Sequence, residues 1–169
     1  GDGSSTGYDV SLGLINGQWL IGEGAPLTID DGEGPFGTRT LIAAGARPQL
    51  ESFDGGITVA NDNEIRGIDI VAAPSDCVFG ASIGNLTISD SSLAGCDFGE
   101  GGAGIFLENP SGVVTIDNVS ISATNFGGID IFASSAAPAV VFRMRDSEIR
   151  TAQGLAGPWR SAAHSDFAL

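Results

Sequence analysis

The sequence has no lysine, one methionine, one histidine and one tyrosine among its 169 residues. Its seven basic residues are all arginine and face 21 acidic ones, for a formal net charge of -14 at pH 7. A field of that sign repels phosphate backbones and anionic lipid surfaces, so neither nucleic acid nor a membrane surface is an expected partner. Long hydrophobic runs are also missing. Apolar residues make up 42% of the chain but are broken every few positions by Gly, Asn, Asp and Ser. None of these runs approaches the length needed to cross a bilayer, so membrane insertion is not expected. Lysine is absent, methionine occurs once and Glu is scattered rather than placed at helical spacing, which leaves no segment for a helix outside the C-terminal tail.

What the chain has in abundance is breakers: 26 glycines and seven prolines. That density, with short apolar stretches between, predicts many brief strands joined by turns. The length suits one domain over residues 1–169.

Self-similarity organises those strands. Residues 86–93 (LTISDSSL), 114–121 (VTIDNVSI) and 142–149 (FRMRDSEI) recur at a spacing of 28, and residues 58–65 (TVANDNEI) extend the series one step back. The last position of each copy is a large aliphatic residue (Ile65, Leu93, Ile121, Ile149), and the fifth is Asx (Asp62, Asp90, Asn118, Asp146). A divergent copy, Asn16 to Gly22, matches Asn61 to Gly67 at a spacing of 45, with the surplus thrown out as a loop around Asp30. Leu86 and Ile88 alternate with Thr87 and Ser89, and Val114 and Ile116 with Thr115 and Asp117, so one face of each strand points inward. A third apolar strand follows at Cys77-Val78-Phe79, Ile105-Phe106-Leu107 and Ile129-Asp130-Ile131-Phe132.

A period of this length with three strands per copy predicts an all-β, right-handed parallel β-helix: a solenoid of about five coils with a 28-residue repeat. Residues 1–9 form a polar lead-in, 10–154 the coils, and 155–169 a C-terminal cap in which Pro158 starts a short helix. Ile65, Leu93, Ile121 and Ile149 are expected in one inward stack above Leu20. With no cover at the N-terminal end, end-to-end contact with further coils of a longer parent chain is expected.

Several polar features carry chemistry in principle. Stacking the Asx positions brings carboxylates together, and calcium between coils is one reading; Asx turns that bond their own backbone are the other. Asp30, Asp31 and Glu33 gather oxygen ligands of the kind hard cations favour, although not at EF-hand spacing. Cys77 and Cys96 are too few for a disulfide framework and lack the company a zinc site needs. They either pair or stay buried as thiols; because they lie at different offsets in the repeat, a bond between them must cross a corner. Gly80-Ala81-Ser82-Ile83-Gly84 fits G-x-S-x-G with His164 downstream, but it runs into the Leu86 strand where a nucleophile elbow needs a helix. Asn85-Leu86-Thr87 and Asn118-Val119-Ser120 fit the glycosylation sequon. Trp19 and Trp159, the two tryptophans, are the aromatics considered for sugar stacking, and they belong to distant coils.

From Val10 to about Gly154 the chain resembles the right-handed parallel β-helix repeats of bacterial secreted and surface-anchored proteins, of the autotransporter-passenger and adhesin kinds. The resemblance rests on Asn16-Gly17-Gln18-Trp19-Leu20-Ile21-Gly22-Glu23-Gly24, on Asn63-Glu64-Ile65-Arg66-Gly67-Ile68-Asp69-Ile70, and on the repeated Leu-Thr-Ile and Val-Thr-Ile strands. It implies export, display at the cell surface or in the medium, and a non-catalytic structural or adhesive role toward a carbohydrate or protein surface, with no resident cofactor. The alternative is a polysaccharide-binding or polysaccharide-degrading protein on the pectin-lyase-like fold. The Gly-His-Gly and Arg-Ile-Lys segments of pectin hydrolases are absent, and a lyase-like basic pair is not found beside Arg47.

Overall fold

The computed structural model describes residues 11–30, 38–51, 55–96, 102–122, 124, 127–134 and 139–150, and the backbone of residues 165–168. All regular structure among them is β. In chain order the strands are β1 (Leu12–Gly13), β2 (Trp19–Ile21), β3 (Leu27–Asp30), β4 (Thr38–Ile42), β5 (Gln49–Glu51), β6 (Ile57–Val59), β7 (Asn63–Arg66) and β8 (Asp69–Val71). There follow β9 (Val78–Ala81), β10 (Leu86–Ala94), β11 (Ala103–Glu108), β12 (Gly112–Ser122), β13 (Gly127–Phe132), β14 (Val140–Arg145), β15 (Glu148–Arg150) and β16 (Ser165–Ala168).

Two parallel sheets carry the fold. Sheet A has the order β1-β6-β9-β11-β13. Sheet B has nine strands: β2, β7, β10, β12 and β14 run side by side, β5, β8 and β15 pair with the same neighbours beyond a bend, and β16 joins β14 antiparallel. A separate antiparallel hairpin, β3–β4, lies between β2 and β5 in the chain.

This arrangement corrects the expected right-handed β-helix, a solenoid of about five coils with three strands each and a 28-residue repeat. The two strand segments flanking the Asx position do not form separate sheets. In β10 and β12 they run on as single strands of 9 and 11 residues, so both segments belong to sheet B. Asp90 and Asn118 adopt left-handed φ of 49° and 53° inside these strands, which bends them without interrupting their pairing on either side. Asn and Asp tolerate that region better than other residues with a Cβ. Antiparallel elements flank the parallel stack, the β3–β4 hairpin as a separate sheet and β16 at the edge of sheet B, and the steps between neighbours are unequal.

Those steps measure 45 residues from Asn16 to Asn61, 23 from Ile68 to Ser91 and 28 from Asp90 to Asn118. The expected stack of Ile65, Leu93, Ile121 and Ile149 is therefore two stacks. Leu20, Ile65, Ile88, Ile116 and Met144 form one, through β2, β7, β10, β12 and β14. Leu50, Ile70, Leu93, Ile121 and Ile149 form the other. The reason lies at Gly67, whose φ of 67° makes it the bend of its repeat, in line with Asp90, Asn118 and Asp146. A Cβ at Gly67 would collide with the Ala25 backbone nitrogen, so only glycine fits there. With Gly67 as the bend, Ile65 and Ile70 flank it as Ile88 and Leu93 flank Asp90, and both pairs are buried.

The core lies between the sheets. Ile57, Val78, Ile105 and Leu107 of sheet A meet the two stacks of sheet B in one continuous apolar cluster. Cys77 and Cys96 are part of it: both are fully buried and joined by a disulfide, with Cα atoms 5.3 Å apart. The bond links the entrance of β9 to the exit of β10, across a corner. Most of the expected C-terminal helix, residues 158–164, lies outside the described residues; Ser165–Ala168 is extended, with Phe167 opposite Phe142. Residues 1–9 and Trp159 lie outside the described residues.

Candidate functional site

The outward face of sheet A combines aromatic rings with carboxylates that have no partner among the described residues. Strand alternation produces it: in β9, β11 and β13 the residues Val78, Gly80, Ile105, Leu107, Ile129 and Ile131 turn inward, so their neighbours turn out. Parallel register then lines up the outward residues. Thr58, Phe79, Phe106 and Asp130 form one row across four strands. Ala81, Glu108 and Phe132 form a second row beside it.

Phe79 and Phe106 stack with ring centroids 5.9 Å apart and planes 24° from parallel. Both are half-buried, and Phe132 is 58% exposed. In-register parallel strands at a spacing of about 4.8 Å bring the two rings into offset stacking, a favourable geometry for an aromatic pair. Asp130 continues the first row beside Phe106, and Glu108 stands next to Phe132 in the second. Neither carboxylate has a hydrogen-bond or ion-pair partner among the described residues. The strands of sheet A carry no arginine, whereas Arg66, Arg143, Arg145 and Arg150 all lie in sheet B. Charge is thus segregated: sheet B mixes both signs, with Arg66–Glu64 and Arg150–Glu148 ion pairs, and sheet A is purely acidic.

The Asx positions, the sequence's strongest polar signal, lie at left-handed bends of the backbone. The Asn118 amide donates to the Asp90 carboxylate at 2.7 Å, and the Asn85 amide donates to Asp62 at 2.8 Å. Asp62 is therefore not the neighbour of Asp90; it belongs to the preceding corner, with Asn16, Asn61 and Asn85. The side chains bond across repeats rather than to their own backbone. Ser91 and Ser147, one residue past the bend, repeat a further pattern: each hydroxyl donates to the carbonyl two residues earlier and accepts an N–H from the neighbouring repeat. Buried Asn63 donates to the carbonyls of Ile15 and Gln18 and accepts from Ala60, satisfying the turn it crosses.

The remaining sequence candidates stand apart from the aromatic face. Asp30 ends β3 opposite Thr38, and Asp31, Glu33 and His164 lie outside the described residues. Among the described residues no group of three or more His, Cys, Asp or Glu side chains is placed to hold a metal ion. Ser82 has φ 54° and is followed by β10, a strand, in place of the helix an elbow requires. Trp19 is 64% exposed on β2, opposite Glu64. Thr87 and Thr115 are paired, and their row continues to Glu64 because the step from β7 to β10 is 23 residues.

Sequence reasoning missed Phe79 and Phe106 as a pair by looking for tryptophan. The signal was present: both follow a buried aliphatic residue in the strand that ends each copy, so alternation alone puts them outside. Comparison of the chain with protein-family models, curated proteins and solved structures finds no match.

Proposed function

We propose that this chain is a non-catalytic structural and adhesive segment of a secreted or cell-surface bacterial protein, and that the outer face of sheet A is where it meets a carbohydrate surface. The observation that carries this reading is the stacked Phe79–Phe106 pair, half-buried on the outward face of sheet A beside exposed Phe132. Aromatic rings on a rigid scaffold cost little conformational entropy when they are covered, and an exposed ring cluster marks a contact surface. Sugar rings present C–H faces that stack on such rings, while their hydroxyls donate to flanking carboxylates such as Asp130 and Glu108.

The buried Cys77–Cys96 disulfide supports the location. Structural disulfides persist in secreted and surface proteins and are rare in reducing compartments. An extracellular scaffold built of stacked strands has rows of outward side chains, which suits repeated contact with an extended polymer.

The test is retention on insoluble polysaccharides, comparing the protein with Phe79→Ala and Phe106→Ala. Retention that both substitutions reduce by about tenfold, a loss of ~1.4 kcal/mol, supports the reading. Retention unaffected by either, or release of soluble sugar products by the purified protein, defeats it.

A further inference from the structure

We infer that the sheet A face selects a cationic carbohydrate, a polymer of amino sugars with free amines; the inference rests on the carbohydrate-face reading above. Its basis is charge complementarity. The rows that hold Phe79, Phe106 and Phe132 also hold Asp130 and Glu108, neither of them neutralised by a partner among the described residues. No arginine lies in the strands of this sheet, and the whole chain carries a net charge of -14. A polyanionic sugar is repelled by such a face, and a neutral one leaves both carboxylates facing only hydroxyls.

An ammonium group satisfies both kinds of side chain. It is attracted to the negative face of an aromatic ring within about 6 Å of the centroid, and it pairs with a carboxylate. Asp130 lies one strand from Phe106, and Phe132 one strand from Glu108, so each carboxylate has a ring beside it. Within each row side chains stand one strand apart, at about 4.8 Å, and the two rows lie two residues apart along the strands, so a ligand that extends across the face and presents more than one amine is favoured over a compact one. Amino-sugar polymers combine that repeat with the C–H faces the rings stack on.

The experiment is calorimetric titration at physiological salt with three oligosaccharides of equal length: glucosamine, its N-acetylated form, and glucose. Oligolysine serves as a cationic probe without sugar. The protein is compared with Phe106→Ala, with the pair Glu108→Gln and Asp130→Asn, and with the pair Asp117→Asn and Asp146→Asn. The last pair removes the same charge from sheet B and the bend beyond it. Circular dichroism checks that each variant is folded. The glucosamine oligomer is expected to bind about tenfold or more tightly than the other two sugars. That advantage should vanish in the sheet A charge pair and persist in the sheet B pair. Equal affinity for all three sugars, still dependent on Phe106, overturns the amino-sugar selectivity and leaves the carbohydrate face intact. Oligolysine binding as tightly with the same Phe106 dependence makes the ligand a basic peptide and overturns the inference. Binding that ignores Phe106, or an equal loss in both charge pairs, shows diffuse attraction and overturns the inference and the carbohydrate face together, as does no binding of any probe.

Discussion

Ile65 lies beside Ile88 in the neighbouring strand, although the internal repeat aligns it with Leu93. Both isoleucines are fully buried, and the step between their strands is the 23 residues that also separate Ile68 from Ser91. Replacing Ile88 with Ala should cost about 2–5 kcal/mol, because it opens a cavity in a filled row. Met144, at the end of the same row, is only half-buried, and Met144→Ala should cost clearly less. Urea denaturation of the two variants checks this; equal losses would mean that the row does not run as described.

That residue pair also shows how far the sequence could be read. The steps of 28 and 45 residues and the inward alternation were legible, since each follows from periodicity. The 23-residue step was not, because Asp62 and Gly67 both suit a left-handed bend and an ungapped alignment favoured Asp62. Burial decides between them by requiring Ile65 and Ile70 to sit on the core. The merging of two expected sheets into sheet B was hidden for a related reason: whether a left-handed Asx breaks a strand or only bends it depends on its neighbours across the sheet. For the candidate site, residue positions were legible but their grouping was not, since Phe79 and Phe106 meet only once the register of β9 and β11 is known.

Close packing behind sheet A makes Gly128 a sensitive position. A Cβ placed there would run into the Ile149 side chain, with Ile149 supplying the three nearest atoms. Gly128→Ala should destabilise by about 1–3 kcal/mol through overpacking. Adding Ile149→Ala should recover part of that loss, so that the double variant is more stable than the sum of the single losses predicts. Thermal denaturation of the four-member cycle measures the coupling; strict additivity would contradict this contact.

The Asn118 amide separates two carboxylates by donating to Asp90. Asn118→Asp removes that donor and sets a third negative charge at the bend, between Asp90 and Asp146. A loss of about 1–3 kcal/mol is expected, shrinking as added salt screens the repulsion. If calcium restored stability far beyond magnesium at equal ionic strength, the bend would bind metal in the variant. Equal effects of the two ions would mean simple screening.

Breaking the disulfide should be costly, since Cys77 and Cys96 are 19 residues apart and both fully buried. The Cys77→Ala, Cys96→Ala double variant should lose about 2–4 kcal/mol, chiefly through a less restricted unfolded chain. Reductant should lower the melting temperature of the native protein and leave the double variant unchanged. A native protein indifferent to reductant under unfolding conditions would contradict a structural role for the bond.

The account turns on whether the Phe79–Phe106 face is where ligand lands, and fluorine NMR reads that directly. The nine phenylalanines can be replaced uniformly by a fluorinated analogue, and the Phe79→Leu and Phe106→Leu variants assign those two signals. Titration with the glucosamine oligomer should move the Phe79 and Phe106 resonances together, saturably, while that of buried Phe142 stays still. Saturable binding that leaves both resonances in place, or shifts spread evenly over all the rings, would contradict it.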